Sequence, residues 1–334
     1  MTGAIDVDRL NTYERPARAL VVASQLGGPL AQLGSQIAAT LPDRLPNSSV
    51  AALAPGSFSD FPTDAEVLIP WGIRRDSLPP PGWPFGLRLV QLVTVGSDGY
   101  PAWLGDGPVV NCMRGPAGQP IAEFALAALL AEIKQVRTND ASTREDWRMR
   151  PLRAVRGFDL GLLGFGPINR HLARFALALG MNVRAVRRSD APFGIEGVWR
   201  AASAAELFAT SDAVVLAAPA TARTRHIVDR TVLASARRGL HLVNVGRGSL
   251  VDHDALHDAL ESGIVGFATL DTTEPEPLPE GHSFYALPNV RLTGHSSSAT
   301  PDFARAVLRK LVDNLADYRA GNALEDLVDA ARGY

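Results

Sequence analysis

A pair of glycines at the end of a short apolar segment constrains the fold of this chain more than any other feature. Residues Asp159–Leu163 are mostly apolar, and Gly164-Phe-Gly166-Pro-Ile-Asn169 follows them directly. The next residues place apolar side chains at helical spacing, and Gly180 ends that pattern. A strand, a glycine turn and an amphipathic helix in this order predict a parallel α/β sheet with a dinucleotide-binding loop.

The glycine loop suits a phosphate group. Gly164 permits the tight turn, and Gly166 lets backbone N–H groups approach a pyrophosphate at the positive end of the helix that begins with Pro167 and Ile168. Asn169 stands where the pattern has a third glycine, so we expect a slightly displaced helix with the phosphate cradle retained. A plain strand–helix turn is the alternative that the loop alone leaves open.

A basic turn follows the second strand of this unit, Met181–Val186. Arg187, Arg188 and Ser189 occupy the place where an acidic residue would hold the adenosine ribose. A carboxylate repels a 2′-phosphate, whereas guanidinium and hydroxyl groups bind it through charge-assisted hydrogen bonds. The turn therefore favours NADP over NAD, and a surface turn with ordinary charges is the other interpretation.

The length and composition set broader limits. At 334 residues the chain is expected to form two domains. Its 46% hydrophobic and 20% charged residues are typical of a soluble globular protein, and no apolar run reaches membrane-spanning length. A net charge of −2 gives no field to attract nucleic acid, and the single Cys112 fits a reducing cytoplasm without disulfides.

Short apolar runs alternate with helical patterns along the whole chain, which predicts parallel sheets covered on both faces. The helix predicted at Pro120–Val136 is apolar nearly all round, so we expect it between domains or between subunits. Thr300, Pro301 and Gly321 mark the start and the end of the last helix. The other predicted strands are Ala19–Ala23, Val50–Leu53, Val67–Pro70, Leu89–Val93, Val109–Asn111, Val183–Val186, Ala213–Leu216, Leu242–Asn244, Ala268–Leu270 and Val290–Thr293.

Three chemically distinctive residues follow predicted strands in the second half of the chain. Arg247 lies in a Gly-Arg-Gly sequence, Glu276 in Glu-Pro-Leu, and His295 in Thr-Gly-His. Parallel sheets bind ligands at the carboxyl ends of their strands. A cation for a carboxylate, an acid/base and a carboxylate to tune it can move a hydride and a proton at a carbonyl. Glu274 competes with Glu276 for the acidic role.

The histidines offer one weak metal pattern. His253 and His257 are four residues apart on a predicted helix, a spacing that permits metal binding. They lack a convincing third ligand, so we predict no metal site.

Together these motifs resemble the D-isomer-specific 2-hydroxyacid dehydrogenase family, in its glyoxylate/hydroxypyruvate reductase-like branch. The resemblance covers nearly the whole chain, is densest over Gly161–Thr300 and is weak over the first eighty residues. The motifs that carry it, in the family's order, are the glycine loop, Pro219-Ala-Thr221 with Thr224, Asn244–Asp252, Leu270–Pro279 and Thr293–His295.

The resemblance implies a role for each catalytic residue. Arg247 binds the substrate carboxylate, because a guanidinium offers a planar, permanently charged fork. His295 gives a proton to the 2-oxo acid during reduction, and imidazole suits this because it titrates near neutrality. Glu276 pairs with His295 and favours its protonated form.

It also implies the ligand contacts. Asp271 lies by the nicotinamide carboxamide, and the backbone amides of Val95, Gly96 and Ser97 hold the substrate. Gly294 replaces the family's usual proline, so the loop before His295 is expected to be less rigid. The remaining cofactor contacts are Pro219, Thr224, Val245, Gly246 and Ser297.

The implied architecture is α/β, with two Rossmann-like domains flanking an active-site cleft. A flavodoxin-like substrate domain comprises residues 1–114 and 301–334, and an NAD(P)-binding Rossmann domain comprises residues 115–300. The family forms homodimers through the cofactor domain. The implied activity is reduction of a small 2-oxo acid to the D-2-hydroxy acid by hydride transfer from NADPH. The implied cofactor is NADP, which is preferred, or NAD.

Two alternatives remain on the same fold. A nucleotide-sensing protein like the family's corepressors keeps the three catalytic residues, and so does a phosphite dehydrogenase-like enzyme. The formate dehydrogenase branch has glutamine in place of the catalytic glutamate, so Glu276 speaks against it.

Overall fold

The computed structural model describes residues 19–136 and 139–329. Its strands are β1 (Leu20–Ser24), β2 (Ser48–Ala52), β3 (Val67–Ile69), β4 (Leu89–Gln91), β5 (Val109–Asn111), β6 (Asp159–Leu163), β7 (Asn182–Val186), β8 (Val198–Arg200), β9 (Ala213–Leu216), β10 (Leu240–Asn244), β11 (Val265–Leu270) and β12 (Val290–Leu292). Its α-helices are α1 (Ala31–Arg44), α2 (Gly118–Ile133), α3 (Pro167–Ala178), α4 (Ala204–Thr210), α5 (Arg230–Ala234), α6 (His253–Glu261) and α7 (Pro301–Ala320).

The chain divides into two compact units, one of residues 1–116 with 300–334 and one of residues 117–299. The first unit contains a parallel sheet in the order β2-β1-β3-β4-β5, which is the flavodoxin-like order. Helix α7 returns to this unit and packs Leu311, Leu315 and Tyr318 into the same core as Ile37 and Leu41 of α1.

Both ends of α7 match the sequence prediction. The Thr300 hydroxyl accepts a hydrogen bond from Phe303 N at 3.1 Å, and Pro301 opens the first turn. Gly321 ends the helix with a φ of 76°, in the left-handed region that favours glycine. A buried hydrogen bond between two side-chain amides connects the helix to the sheet, because Asn314 Nδ2 donates to Gln91 Oε1 at 3.1 Å.

The second unit contains a seven-stranded parallel sheet in the order β12-β11-β10-β9-β6-β7-β8. The chain order reverses on either side of β6, and a dinucleotide fold binds its ligand at such a reversal. Alternate residues of β9 enter two different apolar clusters, since Val214 and Leu216 pack on one side and Val215 on the other. Both faces of the sheet are therefore covered, as expected for parallel strands.

Helix α2 belongs to the second unit. It buries Ala122, Ala125, Leu129 and Ile133 in the cluster that also holds Leu172 of α3. Small alanines let the two helices approach closely. An additional position between domains or between subunits stays a prediction.

The structure confirms the predicted α/β class, with β6, β9 and β5 at the predicted bounds. Strand β8 was missed, because it has three residues and two of them, Trp199 and Arg200, are exposed. Strand β11 begins at Val265, three residues before the predicted start, since Gly266 weakens the strand pattern. Within the described residues, no helix combines the length and apolar character required to cross a bilayer.

Candidate active site

The carboxyl ends of β10, β11 and β12 carry the predicted catalytic residues. These strands are neighbours in one parallel sheet, so the segments after them emerge at a common edge. Backbone hydrogen bonds continue past the strands: Asp271 N donates to Asn244 O, and His295 N donates to Asp271 O, each at 3.0 Å. The sheet thereby fixes the backbone on which the side chains of His295 and Asp271 are mounted.

His295 and Glu276 form a hydrogen-bonded pair. His295 Nδ1 lies 3.0 Å from Glu276 Oε2. The other carboxylate oxygen of Glu276, Oε1, accepts the Thr273 N–H at 3.2 Å, so both oxygens are engaged. Both side chains are about half exposed, with relative exposures of 48% for His295 and 42% for Glu276. The pair is therefore ordered by contacts at one end and accessible to a ligand at the other.

The competing acid, Glu274, has a different partner. Its carboxylate forms an ion pair with Arg225, with Arg225 Nη1 and Glu274 Oε2 at 2.9 Å. The hydrogen bond to Glu274 raises the pKa of the Arg225 guanidinium. Of the two glutamates, only Glu276 contacts His295 in the described structure.

Asp271 holds the loop that carries His295. Its Oδ1 accepts hydrogen bonds from Thr293 Oγ1 at 2.6 Å and Ser296 N at 2.9 Å, and its Oδ2 accepts from Ser297 N at 3.2 Å. Burial opposes ionisation, but hydrogen bonds from Ser297, Thr293 and Ser296 outweigh it and lower the pKa of Asp271. Sequence reasoning missed this anchoring contact, because Thr293 and Ser296 are 22 and 25 residues away.

The backbone of His295 needs such an anchor. Its φ is 52°, in the left-handed region that a residue with a Cβ rarely adopts. The preceding Gly294 has open space around the position of a Cβ. The hydrogen bonds to Asp271, rather than a proline, restrain the loop in this chain.

Arg247 extends from a loop built by its neighbours. Asn244 Nδ2 donates to Arg247 O at 2.8 Å, while Asn244 Oδ1 accepts the Gly246 N–H at 3.1 Å. The guanidinium of Arg247 is half-buried, and its Nη1 donates to Gly246 O at 3.0 Å. The amide of Asn244 thus closes the turn that presents Arg247 at the sheet edge.

Gly248 brings the arginine loop against the loop of Glu276. A Cβ at Gly248 would overlap the Thr273 backbone and lie 2.5 Å from Glu274 N. Since Thr273 N also donates to Glu276, the Arg247 loop packs directly on the segment that orients the acid–histidine pair. Only glycine permits this approach.

The glycine loop makes a tight turn and leaves the start of α3 open. Gly164 has a φ of 85°, and a Cβ there would lie 2.8 Å from Ala217 O. Gly166 precedes α3 with free space around its Cβ position. Among the described residues no side chain caps this helix start, and no acidic residue lies in its first turn, which contains Pro167 and Ile168. The positive end of α3 is therefore available to an anion.

Asn169 takes the place of the third glycine with its side chain turned inward. The residue is fully buried, and its Nδ2 donates to Gly164 O at 2.7 Å and to Leu163 O at 3.3 Å. The amide therefore holds the glycine turn to the helix through hydrogen bonds. A displacement of α3 stays a prediction.

The basic turn after β7 is folded back on itself. Arg187 Nε donates to Ser189 O at 3.3 Å, and its Nη2 donates to Pro192 O at 3.0 Å and to Ala191 O. Arg188 and Ser189 are exposed at the same turn. A further cation, Arg200 of β8, reaches the turn and donates to Ser189 O and Ala191 O. The missed strand concealed this residue from sequence reasoning.

The other predicted cofactor contacts lie along the same sheet edge. After β9, Thr224 Oγ1 donates to Pro219 O at 2.7 Å and accepts the Thr221 N–H at 2.8 Å, which closes that loop. Val245 and Gly246 are buried directly after β10, and Val245 N donates to Leu216 O. Ser297 is 6% exposed beside Asp271.

The predicted substrate loop lies in the other unit, after β4. Thr94 Oγ1 donates to Gly96 O at 2.7 Å, and Tyr100 N donates to Ser97 O at 3.0 Å. The Val95 side chain is 41% exposed. The loop is thus ordered by its own hydrogen bonds.

One group of residues has metal-like spacing in the described structure. Ligand atoms of His257, Asp258 and Glu261 lie within 4.8 Å of one another. Asp258 is already paired with Arg230 at 2.7 Å, and Asp258 and Glu261 are exposed. His253 instead packs on Phe284, with ring centroids 5.3 Å apart.

Comparisons with known proteins identify the family of this chain. A family model described as D-isomer specific 2-hydroxyacid dehydrogenase, NAD binding domain, matches residues 126–297. Glyoxylate/hydroxypyruvate reductase A of Serratia proteamaculans is 30% identical over 308 residues, which cover 89% of this chain and 95% of that protein. Glyoxylate reductase of Aeropyrum pernix is 32% identical over 260 residues, covering 73% of this chain and 76% of that protein.

A solved structure shares both the fold and the chain length. The D-isomer specific 2-hydroxyacid dehydrogenase from Xanthobacter autotrophicus Py2, in complex with NADPH and MES, superposes with a TM-score of 0.81 at 29% identity. The match covers 96% of this chain and all of that one. These findings confirm the resemblance that the motifs indicated, and the chain belongs to the family of NAD(P)-dependent D-isomer-specific 2-hydroxyacid dehydrogenases.

Proposed function

We propose that this enzyme reduces a small 2-oxo acid of the glyoxylate or hydroxypyruvate class to the D-2-hydroxy acid, with NADPH as the electron donor. The observation that carries the proposal is the 3.0 Å contact between His295 Nδ1 and Glu276 Oε2 at the carboxyl edge of the sheet. The glyoxylate reductases among the relatives support the substrate class.

His295 is the proposed proton donor. Glu276 accepts a hydrogen bond from Nδ1 and places its carboxylate charge beside the imidazole ring. Nε2 is then the nitrogen that gives its proton to the carbonyl oxygen of the substrate. Because Thr273 N donates to one carboxylate oxygen of Glu276, the other oxygen is presented to the imidazole of His295.

Arg247 is the proposed binding group for the substrate carboxylate. Its guanidinium is planar and charged at all working pH values, which suits a bidentate contact with two oxygens. The Asn244 amide and the packing of Gly248 fix the backbone around it. We assign the backbone amides of Val95, Gly96 and Ser97 as further substrate contacts.

The cofactor supplies the hydride when it is bound. We assign its pyrophosphate to Gly164, Gly166 and the first turn of α3 at Pro167 and Ile168, where the helix start is uncapped by side chains of the described residues. The basic turn Arg187–Ser189 would take a 2′-phosphate. Further contacts are assigned to Pro219, Thr224, Val245, Gly246, Asp271 and Ser297.

The two units have distinct proposed roles. The unit of residues 117–299 would bind the cofactor, and the unit of residues 1–116 and 300–334 would bind the substrate side chain. A homodimer through the cofactor unit is part of the same proposal. Size-exclusion chromatography with light scattering tests the dimer independently of activity.

A panel of 2-oxo acids tests the activity. Purified enzyme is mixed with NADPH or NADH and with glyoxylate, hydroxypyruvate, pyruvate or a bulkier 2-oxo acid, and cofactor absorbance is followed. We expect turnover with glyoxylate or hydroxypyruvate and higher kcat/KM with NADPH. Cofactor binding without turnover on any acid would instead support a nucleotide-sensing role, and oxidation of phosphite would support the phosphite alternative.

A further inference from the structure

Two guanidinium groups from different strands meet at the basic turn after β7. Arg187 donates to the carbonyl oxygens of Ser189, Ala191 and Pro192. Arg200 donates from Nη1 to Ser189 O at 3.3 Å and from Nη2 to Ala191 O at 2.8 Å. The two cations therefore share two carbonyl acceptors.

An aromatic ring holds the same two cations. The guanidinium carbon of Arg187 lies 5.3 Å from the centroid of the Phe193 ring, and that of Arg200 lies 4.7 Å from it. Phe193 is buried against Phe165, with ring centroids 4.6 Å apart. Because Phe165 stands between Gly164 and Gly166, this packing links the guanidinium pair to the pyrophosphate loop.

The charge of this arrangement is unbalanced. Within residues 19–136 and 139–329, neither Arg187 nor Arg200 has a carboxylate within ion-pair distance. Carbonyl dipoles only partly offset the mutual repulsion of two guanidinium groups on one ring. A dianionic group at the turn would complete the balance, and a phosphate monoester has that charge.

The donors left over suit such a ligand. The hydrogen bonds of Arg187 use Nε and Nη2, while those of Arg200 use one N–H on each of Nη1 and Nη2. A guanidinium has five N–H groups, so Arg187 Nη1 and Arg200 Nε remain for a ligand. Register places Arg200 opposite Ala185 of β7, one strand away from the turn that it contacts.

We propose that Arg200 is a specificity-determining residue that, together with Arg187, binds the 2′-phosphate of the cofactor. The inference rests on the proposed use of NADPH and adds a ligand from an edge strand. The exposed Ser189 hydroxyl lies at the same turn as a third donor.

The test compares ligands that differ only in the position of the phosphate. Binding of 2′-AMP and 5′-AMP is measured by titration calorimetry for the wild type, Arg200→Ala and Arg200→Lys. Arg238→Ala is the matched control, because Arg238 is an exposed arginine that donates to Ser262 O at 2.8 Å. It lies just before the interior strand β10, at the amino ends of the strands and away from the turn after β7. The kcat/KM values for NADPH and NADH are measured with the same variants.

We expect Arg200→Ala to weaken 2′-AMP binding and to lower kcat/KM for NADPH by about tenfold, the effect of one charge-assisted contact. Binding of 5′-AMP and kcat/KM for NADH should stay within about twofold of the wild-type values, because these ligands have no 2′-phosphate for Arg200 to contact. Arg200→Lys, which keeps the charge but loses the fork, should recover part of the loss.

Equal losses for both members of each ligand pair would overturn the proposal, since Arg200 would then only hold the turn. Losses no larger than those of Arg238→Ala would overturn it as well. The calorimetry requires no turnover, so its result is separate from that of the 2-oxo acid panel. A wild-type enzyme that reduces glyoxylate with NADH but binds 2′-AMP no better than 5′-AMP would refute this inference alone.

Discussion

His295 Nδ1 and Glu276 Oε2 lie 3.0 Å apart, and the second oxygen of Glu276 is held by the backbone N–H of Thr273. This contact joins residues that follow two neighbouring strands, β11 and β12. These two contacts fix the orientation of the carboxylate. His295, the proposed proton donor, needs the negative charge of Glu276 and not only its hydrogen bond.

Glu276→Gln removes that charge and keeps an oxygen that can accept from Nδ1. We expect kcat for 2-oxo acid reduction to fall at least about tenfold, because the imidazolium loses its counter-charge. Steady-state kinetics and a fluorescence titration with NADPH measure the two effects separately, and NADPH binding should be unchanged. Glu274→Gln is the matched control, since Glu274 pairs with Arg225 instead. Equal losses of kcat in both variants would contradict the assignment.

Asp271→Asn tests the anchor of the His295 loop. The amide NH₂ would face the N–H groups of Ser296 or Ser297, which leaves buried donors unpaired. We expect a loss of about 1–3 kcal/mol in the free energy of unfolding and a lower kcat, since the left-handed backbone of His295 loses its restraint. Urea denaturation and kinetics measure both. Thr293→Val, which removes a single donor, should cost about 1 kcal/mol; a fully active and stable Asp271→Asn enzyme would show that the anchor is dispensable.

Gly248→Ala tests the contact between the Arg247 loop and the Glu276 loop. The added methyl would overlap the Thr273 backbone, so we expect a loss of at least about 2 kcal/mol in unfolding free energy together with lost activity. Gly294→Ala is the control, because its Cβ position is open and its φ is not in the left-handed region. Thermal unfolding compares the two variants. Similar melting temperatures for both would mean that the packing at Gly248 is looser than described.

We expect the free energy of unfolding to depend on pH because His241 is buried. Burial lowers its pKa to about 3, while its Nε2 contacts Thr269 Oγ1 at 3.0 Å. An exposed histidine in the unfolded chain titrates near 6.5. Between pH 6.5 and 3 the unfolded chain thus binds a proton that the native chain does not, so stability falls as pH decreases.

The magnitude of this effect is about 1.4 kcal/mol per pH unit well below pH 6.5. His241→Gln keeps a polar group for Thr269 and removes the titration. We expect the unfolding free energy of the wild type to decline more steeply from pH 7 to pH 5 than that of the variant. Parallel curves in urea denaturation would rule out a native-state histidine held neutral by burial.

Local patterns predicted much of this fold. The apolar run of β6 and the glycines after it are adjacent in sequence, so strand, turn and helix could be recognised together. Thr300, Pro301 and Gly321 gave the ends of α7 for the same reason. The order of Arg247, Glu276 and His295 predicted a common sheet edge, because parallel strands present their carboxyl ends together.

Contacts between distant residues escaped prediction. Arg200 is the last residue of a mostly exposed three-residue strand with little apolar signal, so neither the strand nor the contact of Arg200 with Ser189 could be inferred. The sequence showed Asn169 only as a departure from a glycine pattern. The hydrogen bond from its side-chain amide to Gly164 O depends on the three-dimensional shape of the turn. The Glu-Pro-Leu motif favoured Glu276 over Glu274, but the separate partners of the two acids, His295 and Arg225, required the structure.

The most direct test of the account compares wild-type, His295→Ala and Arg247→Ala enzymes for NADPH oxidation with glyoxylate and hydroxypyruvate, alongside NADPH binding. The account predicts that each variant binds NADPH as the wild type does and loses at least about a hundredfold in kcat/KM, the range expected for an acid catalyst or a substrate-carboxylate contact. Wild-type-like turnover in either variant would contradict it.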